Sequence, residues 1–145
     1  MVKKLPVLIV ADEEFKPTYA HPGDAGADLR SRVETIVPAG LRVTCPTGVS
    51  VAIPAGFVGL VHSRSGLAAK SGISVLNSPG TIDAGYRGEI AVTLQNHSTE
   101  DFKVSVGDRI AQIIFQQVEV AEFITVERLP ESHRSNAGFG STGLK

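Results

Sequence analysis

Between Gly80 and Glu89 the chain runs Gly-Thr-Ile-Asp-Ala-Gly-Tyr-Arg-Gly-Glu, three glycines around one acid, one phenol and one guanidinium. Glycine lets main chain approach a ligand closely and leaves its N–H and C=O groups free to bond it. Asp83 could serve there as a general base; a plain turn on Asp83 and Gly85 is the alternative. A second group, His62-Ser63-Arg64-Ser65-Gly66-Leu67, follows an apolar run and opens the one segment with helical character. Backbone N–H groups, hydroxyls and the Arg64 guanidinium would converge there, as they do around phosphate. Helix capping by Ser63 or Ser65, with Arg64 in solvent, is the alternative, and His62 is expected to pack rather than catalyse.

Two further stretches carry polar groups. Asp24-Ala-Gly-Ala-Asp28-Leu29 offers carboxylates among small residues, either able to hold magnesium through water or to sit in a turn. Asp108-Arg-Ile-Ala-Gln112 places an amide among apolar neighbours, so burial of Gln112 with a specific partner is expected. Residues 138–143 spell GxGxxG, but no strand precedes them, which excludes a dinucleotide-binding unit. There remain the Ser141 and Thr142 hydroxyls, an isolated Phe139, and Arg134 just upstream. A phosphate-gripping flap has this composition, and so has a flexible tail.

These groups need a scaffold, and 145 residues allow one domain. With 42% apolar residues the chain can build a core without a disulfide. Lys and Arg number 14 against 15 Asp and Glu, so the single-sign field that nucleic acid or an anionic membrane requires is missing. Cys45 is the one cysteine; no intrachain disulfide is possible, and a cytoplasmic address is expected. His21, His62, His97 and His133 lack zinc-ligand spacing. Met1 to Ala11 resembles a signal peptide only superficially. Pro6, the acids at 12–14 and the missing small-residue cleavage site argue instead for a first strand.

Pro38-Ala39-Gly40, Pro54-Ala55-Gly56, Pro79-Gly80 and Val106-Gly107-Asp108 punctuate short runs rich in Val, Ile and Thr, as turns punctuate strands. Apolar residues alternate at Val49, Val51 and Ile53, at Ile90, Val92 and Leu94, and at Phe102, Val104 and Val106. The stretch 109–123 is apolar on both faces in its first half, which predicts a strand covered on its second face by another sheet or subunit. The glycine-rich segment feeding Ile90 predicts a hairpin. Ser65 to Ser71 predicts one helix of about two turns. A sandwich, jelly roll or barrel follows, and residues 127–145, polar and without alternation, have the composition of a tail.

Taken in order, DAGADL, SRSGLA, NSPGTIDAGYRGE, GDRIAQ and RSNAGFGSTG resemble the five motifs of the trimeric dUTPases, over roughly residues 21–143. The resemblance implies an all-β, jelly-roll-like subunit with one short helix, a β domain over 1–130 and a glycine-rich flap over 131–145. It implies a homotrimer with active sites at subunit interfaces; the charge balance predicts no nucleic-acid or membrane partner. The implied reaction converts dUTP to dUMP and pyrophosphate, lowering dUTP and supplying dUMP for dTTP synthesis. By the same resemblance Asp83 activates the water that attacks the α-phosphorus, and Tyr86 packs against deoxyribose and excludes a 2′-hydroxyl. The 80–91 hairpin reads uracil through its backbone at Thr81, Ile82 and Ala91, supported by Asn77. Arg64, Ser65 and Gly66 meet the phosphates. Asp28 and Gln112 orient waters of a Mg2+ ion that the triphosphate itself chelates, Gln112 also counting among the substrate contacts. Arg134, Gly140, Ser141 and Thr142 close on the γ-phosphate while Phe139 covers the uracil ring.

The chain departs from the motifs at Ser63, where proline is common and its ring would stiffen the loop, and at Ser135 and Ala137, where glycine is usual. Two other functions remain open: dCTP deamination, because those deaminases resemble this family in fold, and nucleotide binding without turnover. The intact TIDAGYRGE segment with Tyr86 matches the hydrolases better than the deaminases.

Overall fold

The structure, a computed structural model of the chain, describes residues 3–132. Along it run β1 (Leu8–Val10), β2 (Ala27–Arg30), β3 (Thr35–Val37), β4 (Arg42–Pro46), β5 (Ser50–Ala52), β6 (Phe57–His62), α1 (Ser65–Ser71), β7 (Ile73–Val75), β8 (Gly80–Ile82), β9 (Ala91–Asn96), β10 (Phe102–Val104) and β11 (Arg109–Gln117). Period two converts directly into burial: Val49, Val51 and Ile53 point inward around β5, and Ile90, Val92 and Leu94 do so along β9. α1 spans the segment that sequence predicts. Its Leu67 packs on the core, and it stops at Gly72, whose φ of 65° lets its N–H reach the carbonyls of Leu67 and Ala68.

β2, β11, β6 and β8 form one antiparallel sheet, β4, β9 and β7 a second, and β1–β5 and β10–β3 are two-stranded ribbons. Leu29, Val61 and Ile113 from the first sheet and Cys45, Ile73, Val92 and Leu94 from the second share one apolar cluster, with β11 lying across from β9. This is the β-rich sandwich expected. One buried polar side chain braces it. Asn96 donates to the carbonyls of Val37 and Glu100 at 2.9 and 2.8 Å and accepts from the Ser98 N–H and hydroxyl, so all its bonding capacity is used.

Three expectations need correction, and one feature gains a partial local explanation. The 80–91 segment is not a hairpin: β8 pairs with β6, β9 pairs with β4 and β7, and the intervening residues arch from one sheet to the other. The first strand is confined to Leu8–Val10, since its partner β5 offers only Ser50–Ala52, and Pro6 has no N–H to extend the ladder. Val106 lies in the turn after β10 and is exposed. The doubly apolar start of β11 has a local cause: the register with β2 shifts between Arg109 and Ala111, so consecutive Ile110 and Ala111 both face the core. Beyond that bulge β11 alternates, with Gln112 and Ile114 half-buried on the outer face.

Cys45 lies in the core, where burial pushes its thiol above the ordinary value of 9.0 despite a smaller opposing effect of its hydrogen bond with Ser31. Iodoacetamide should therefore label Cys45 only at the rate of unfolding, which intact-mass measurement with and without urea would show. The folded thiol holds its proton longer than the unfolded one. Its contribution to stability is thus complete below pH 9.0 and lost as pH rises through the folded value. Cys45→Ala should lessen the alkaline fall in melting temperature.

Candidate active site

The arch between β8 and β9 holds the first group of functional side chains. An Asp83 C=O accepts the Tyr86 N–H at 3.0 Å, closing a four-residue turn, and Arg87 braces it by donating to the carbonyls of Ala84 and Tyr86 at 2.6 and 2.9 Å. The chain then doubles back so that the Tyr86 hydroxyl donates to the Glu89 carbonyl at 2.9 Å. Thr81, Ile82, Asp83, Tyr86, Glu89, Ile90 and Ala91 line a cavity of about 270 Å³. Thr81, Ile82, Asp83, Tyr86 and Ala91, all singled out in the sequence, are thus brought together. Asn77 is exposed and does not line this cavity; its amide lies against Gly80, 3.3 Å from where a Cβ would stand.

The second group sits on the outer face of the larger sheet. Antiparallel register sets Asp28, Gln112 and His62 side by side across β2, β11 and β6. Asp28, only 13% exposed, receives Arg64 Nε at 3.3 Å on one oxygen and Arg109 Nη1 at 3.6 Å on the other. Arg64 also donates to the Arg109 carbonyl at 3.1 Å. The guanidinium expected to meet phosphate is therefore held ready by an acid, and Asp28 has both oxygens engaged. Ser65 and Gly66 are exposed at the start of α1. His62 is half-buried in the sheet, as a packed residue should be.

Arg109 was missed in the sequence. Three residues from Gln112, it would face the opposite side of a regular strand; the bulge at 109–111 returns it to the Gln112 side. A strand opening with polar Asp108 and Arg109 before its apolar run was the only available signal.

Ser63 caps nothing, and the N-cap of α1 is Arg64, which has no side-chain cap bond. Its three polar groups serve three elements instead. The hydroxyl accepts from Val75 N at 2.8 Å, the N–H donates to Ser78 Oγ at 3.3 Å, and the carbonyl accepts from Gln112 Nε2 at 3.1 Å. Hydrogen bonds tie down a loop that a proline ring would have stiffened from within. Arg134, Ser135, Ala137, Phe139, Gly140, Ser141 and Thr142 lie outside the described residues.

Among the described residues no three of His, Cys, Asp and Glu group as metal ligands, and no helix is long and apolar enough to cross a membrane. Asp28 and Gln112 stand opposite each other on neighbouring strands with both Asp28 oxygens already paired to guanidinium groups, so a cation here would take its direct ligands from elsewhere.

A carboxylate and a phenol lining one pocket, with an arginine pair elsewhere on the same subunit, are groups that a phosphoanhydride hydrolase can use. The sequence model of the dUTPase family matches residues 13–143. Deoxyuridine 5′-triphosphate nucleotidohydrolases of Nocardia farcinica and Streptomyces coelicolor are 54% and 56% identical to the chain over 128 residues, 88% of this chain and 78% and 70% of those proteins. A mutant dUTPase of Staphylococcus bacteriophage 80alpha, solved with dUpNHpp, superposes with a TM-score of 0.88 at 25% identity, covering 96% of this chain and 99% of that one. A mutant dUTPase of phage phi11 of S. aureus, described with a structural Mg(II) ion, gives 0.77 at 25% identity over 85% of this chain and 97% of that one. The chain belongs to the dUTPase family.

A methyl group at Gly26 would overlap the side-chain oxygen of Gln112 and stand 3.0 Å from its Cδ. Gly26→Ala should therefore expel the amide, break its bond to Ser63 and lower stability by about 1–3 kcal/mol, as overpacking does. Urea melts check the cost. An accompanying loss of turnover would mark Gln112 as more than packing.

Proposed function

We propose that this chain hydrolyses dUTP to dUMP and pyrophosphate, with Asp83 taking the proton of the water that attacks the α-phosphorus. The observation that carries this reading is the shared cavity of Asp83 and Tyr86, lined by Thr81, Ile82 and Ala91. Asp83 is exposed at its wall, and the ion pairs among the described residues load Asp28 with cations rather than Asp83, leaving that carboxylate open to a water. Main-chain groups at Thr81, Ile82 and Ala91 suit a planar uracil edge, because a backbone wall leaves no slack for cytosine's amine or thymine's methyl. Tyr86 packs on the sugar, and its ring fills the space of a 2′-hydroxyl.

Arg64 and Arg109 neutralise charge developing on the phosphate oxygens once the triphosphate draws them from Asp28. Mg2+, when bound with the triphosphate, adds positive charge to those oxygens. Asp28 and Gln112 would orient its waters, Ser65 and Gly66 supply hydroxyl and N–H groups, and Asn77 supports the uracil wall. Arg134, Gly140, Ser141 and Thr142 would close on the γ-phosphate with Phe139 over the base, in a flap over 131–145. The single buried cysteine supports a cytoplasmic address.

The chain assembles as a homotrimer with shared sites, a reading that the register of β6 and β8 supports. β6 and β8 run antiparallel with Val61 opposite Gly80 and Gly59 opposite Ile82. Asp83 thus extends past one end of the pair and Arg64 past the other, about 20 Å apart at ~3.3 Å per residue. That separation favours a working site whose Asp83 and arginines come from different copies. After β11 the chain exposes Val120, Phe123, Ile124 and Leu129, between 77% and 94% accessible, an apolar arm suited to a neighbouring copy.

Asp83→Asn should abolish turnover while dUTP still binds, and Arg64→Ala should lower it by orders of magnitude. Unfolded and refolded together, the two inactive variants should regain about a quarter of the wild-type rate, since statistical mixing leaves that share of interfaces with both groups intact. No recovery would place both groups in one subunit's site. Product analysis with dUTP, dCTP and UTP completes the test: dUMP and pyrophosphate from dUTP alone support the hydrolase, and ammonia from dCTP would replace it with a deaminase.

A further inference from the structure

The phenol expected to face the sugar is held by a relay that begins outside the cavity. The turn between β4 and β5 presents Thr47, which is fully buried, and Gly48, at a φ of 71°. Gly48 donates its N–H to the Glu89 carboxylate at 2.6 Å, a charge-assisted bond. Thr47 donates its hydroxyl to the Ile90 carbonyl at 2.5 Å, and Ile90 returns its N–H to the Val49 carbonyl at 2.7 Å. Two bonds to the Ile90 main chain and one to the Glu89 side chain therefore join 89–90 to this turn. The Glu89 carbonyl, so fixed, receives the Tyr86 hydroxyl at 2.9 Å. On the other side the ring lies against Gly88, where a Cβ would stand 2.7 Å from the phenol Cζ. Tyr86 is 44% exposed, and beyond its own turn the Glu89 carbonyl is the one partner given to its hydroxyl among the described residues.

We propose that Glu89 is a positioning residue for sugar selection: its carboxylate, latched to the Gly48 N–H, sets the carbonyl that orients Tyr86 and so keeps a ribonucleotide's 2′-hydroxyl out. This rests on the assignment of Tyr86 to the deoxyribose made above. Glu89 touches no reacting atom. Its charge is not what the relay needs, because an amide oxygen can accept the same N–H. Loss of the side chain removes the one bond from this turn that holds residue 89 itself. The Ile90 bonds keep the far side of the Glu89 peptide anchored, so the carbonyl tilts rather than detaches, and the ring tilts with it. Discrimination between deoxyribose and ribose then falls more than turnover of dUTP does.

The test compares wild type, Glu89→Ala, Glu89→Gln and Gly88→Ala, each carrying Tyr19→Phe. The chain has no tryptophan and two tyrosines, so Tyr86 is then the sole phenol and its ultraviolet emission reports its surroundings. Steady-state rates with dUTP and UTP give the ratio of kcat/KM values. Glu89→Ala is expected to lower the dUTP-to-UTP ratio about tenfold, the scale of one well-placed hydrogen bond, and to shift tyrosine emission. Glu89→Gln should keep the wild-type ratio, and Gly88→Ala, which pushes the ring directly, should lower it as Glu89→Ala does. A Glu89→Ala protein with reduced melting temperature but an unchanged ratio and emission would overturn the proposal, as would Glu89→Gln losing selectivity equally. Absence of dUTP turnover in the wild type would instead remove the functional reading, and this inference with it.

Discussion

Antiparallel pairing of β6 with β8 is the constraint on which the rest depends. It fixes Val61 against Gly80 and Gly59 against Ile82, so everything before β8 in space emerges at one end of the ladder and everything after it at the other. The arginine loop continues from β6, and the acid of the arch continues from β8. A parallel pairing would have put both at the same end. Glycine is what lets this ladder lie so close to the core: a Cβ on Gly59 would stand 3.1 Å from the terminal methyls of both Ile53 and Ile113. Those two isoleucines belong to the buried cluster beneath, so the strand that separates the two halves of the site is seated by the same packing that stabilises the domain.

Much of this scaffold was legible because its signals are local. A side-chain period of two needs no partner to be recognised, and the buried sets of β5 and β9 follow it residue by residue. The bounds of α1 come from short-range propensity and a glycine at its end. What failed were statements about which strand meets which. Glycine-rich residues between two strands suggest a hairpin, but Gly85 and Gly88 serve an arch that changes sheets, and only the non-local partners of β8 and β9 could reveal it. Likewise a bulge in β11 turned one expected feature, a doubly buried strand, into two adjacent inward residues followed by ordinary alternation.

The candidate site divides in the same way. Residue types in the 80–91 segment and in the arginine loop announced their chemistry from spacing and from the family resemblance, and the described residues among them do gather into two groups. Arg109 was invisible because strand parity put it on the wrong face. The role of Ser63 was invisible because its partners, Val75, Ser78 and Gln112, are 12 to 49 residues away. A missing proline looks like lost rigidity only when the backbone is considered alone. Three hydrogen bonds to three different elements restrain the same residue from outside, and they tie the arginine loop to β7, to the turn before β8, and to Gln112 at once.

That last connection bears on how binding at one group is felt at the other. Ser78 immediately precedes the cis Ser78–Pro79 peptide and β8, so the N–H of Ser63 links the arginine loop to the start of the strand whose far end carries Asp83. Within one subunit the two groups serve different sites of the proposed trimer. In the proposed reaction, release of Arg64 from Asp28 would leave Ser63 held by β7, by Ser78 and by Gln112 of β11. Rigid strands between separated half-sites favour independent sites over cooperative ones, since coupling needs an element with two arrangements of similar energy. The packing around Gly59 and the saturated bonding of Asn96 both oppose a second arrangement of the sandwich. On the proposed reading Asp83 and the Arg64–Arg109 pair act from different copies, so the proposed activity belongs to the interface.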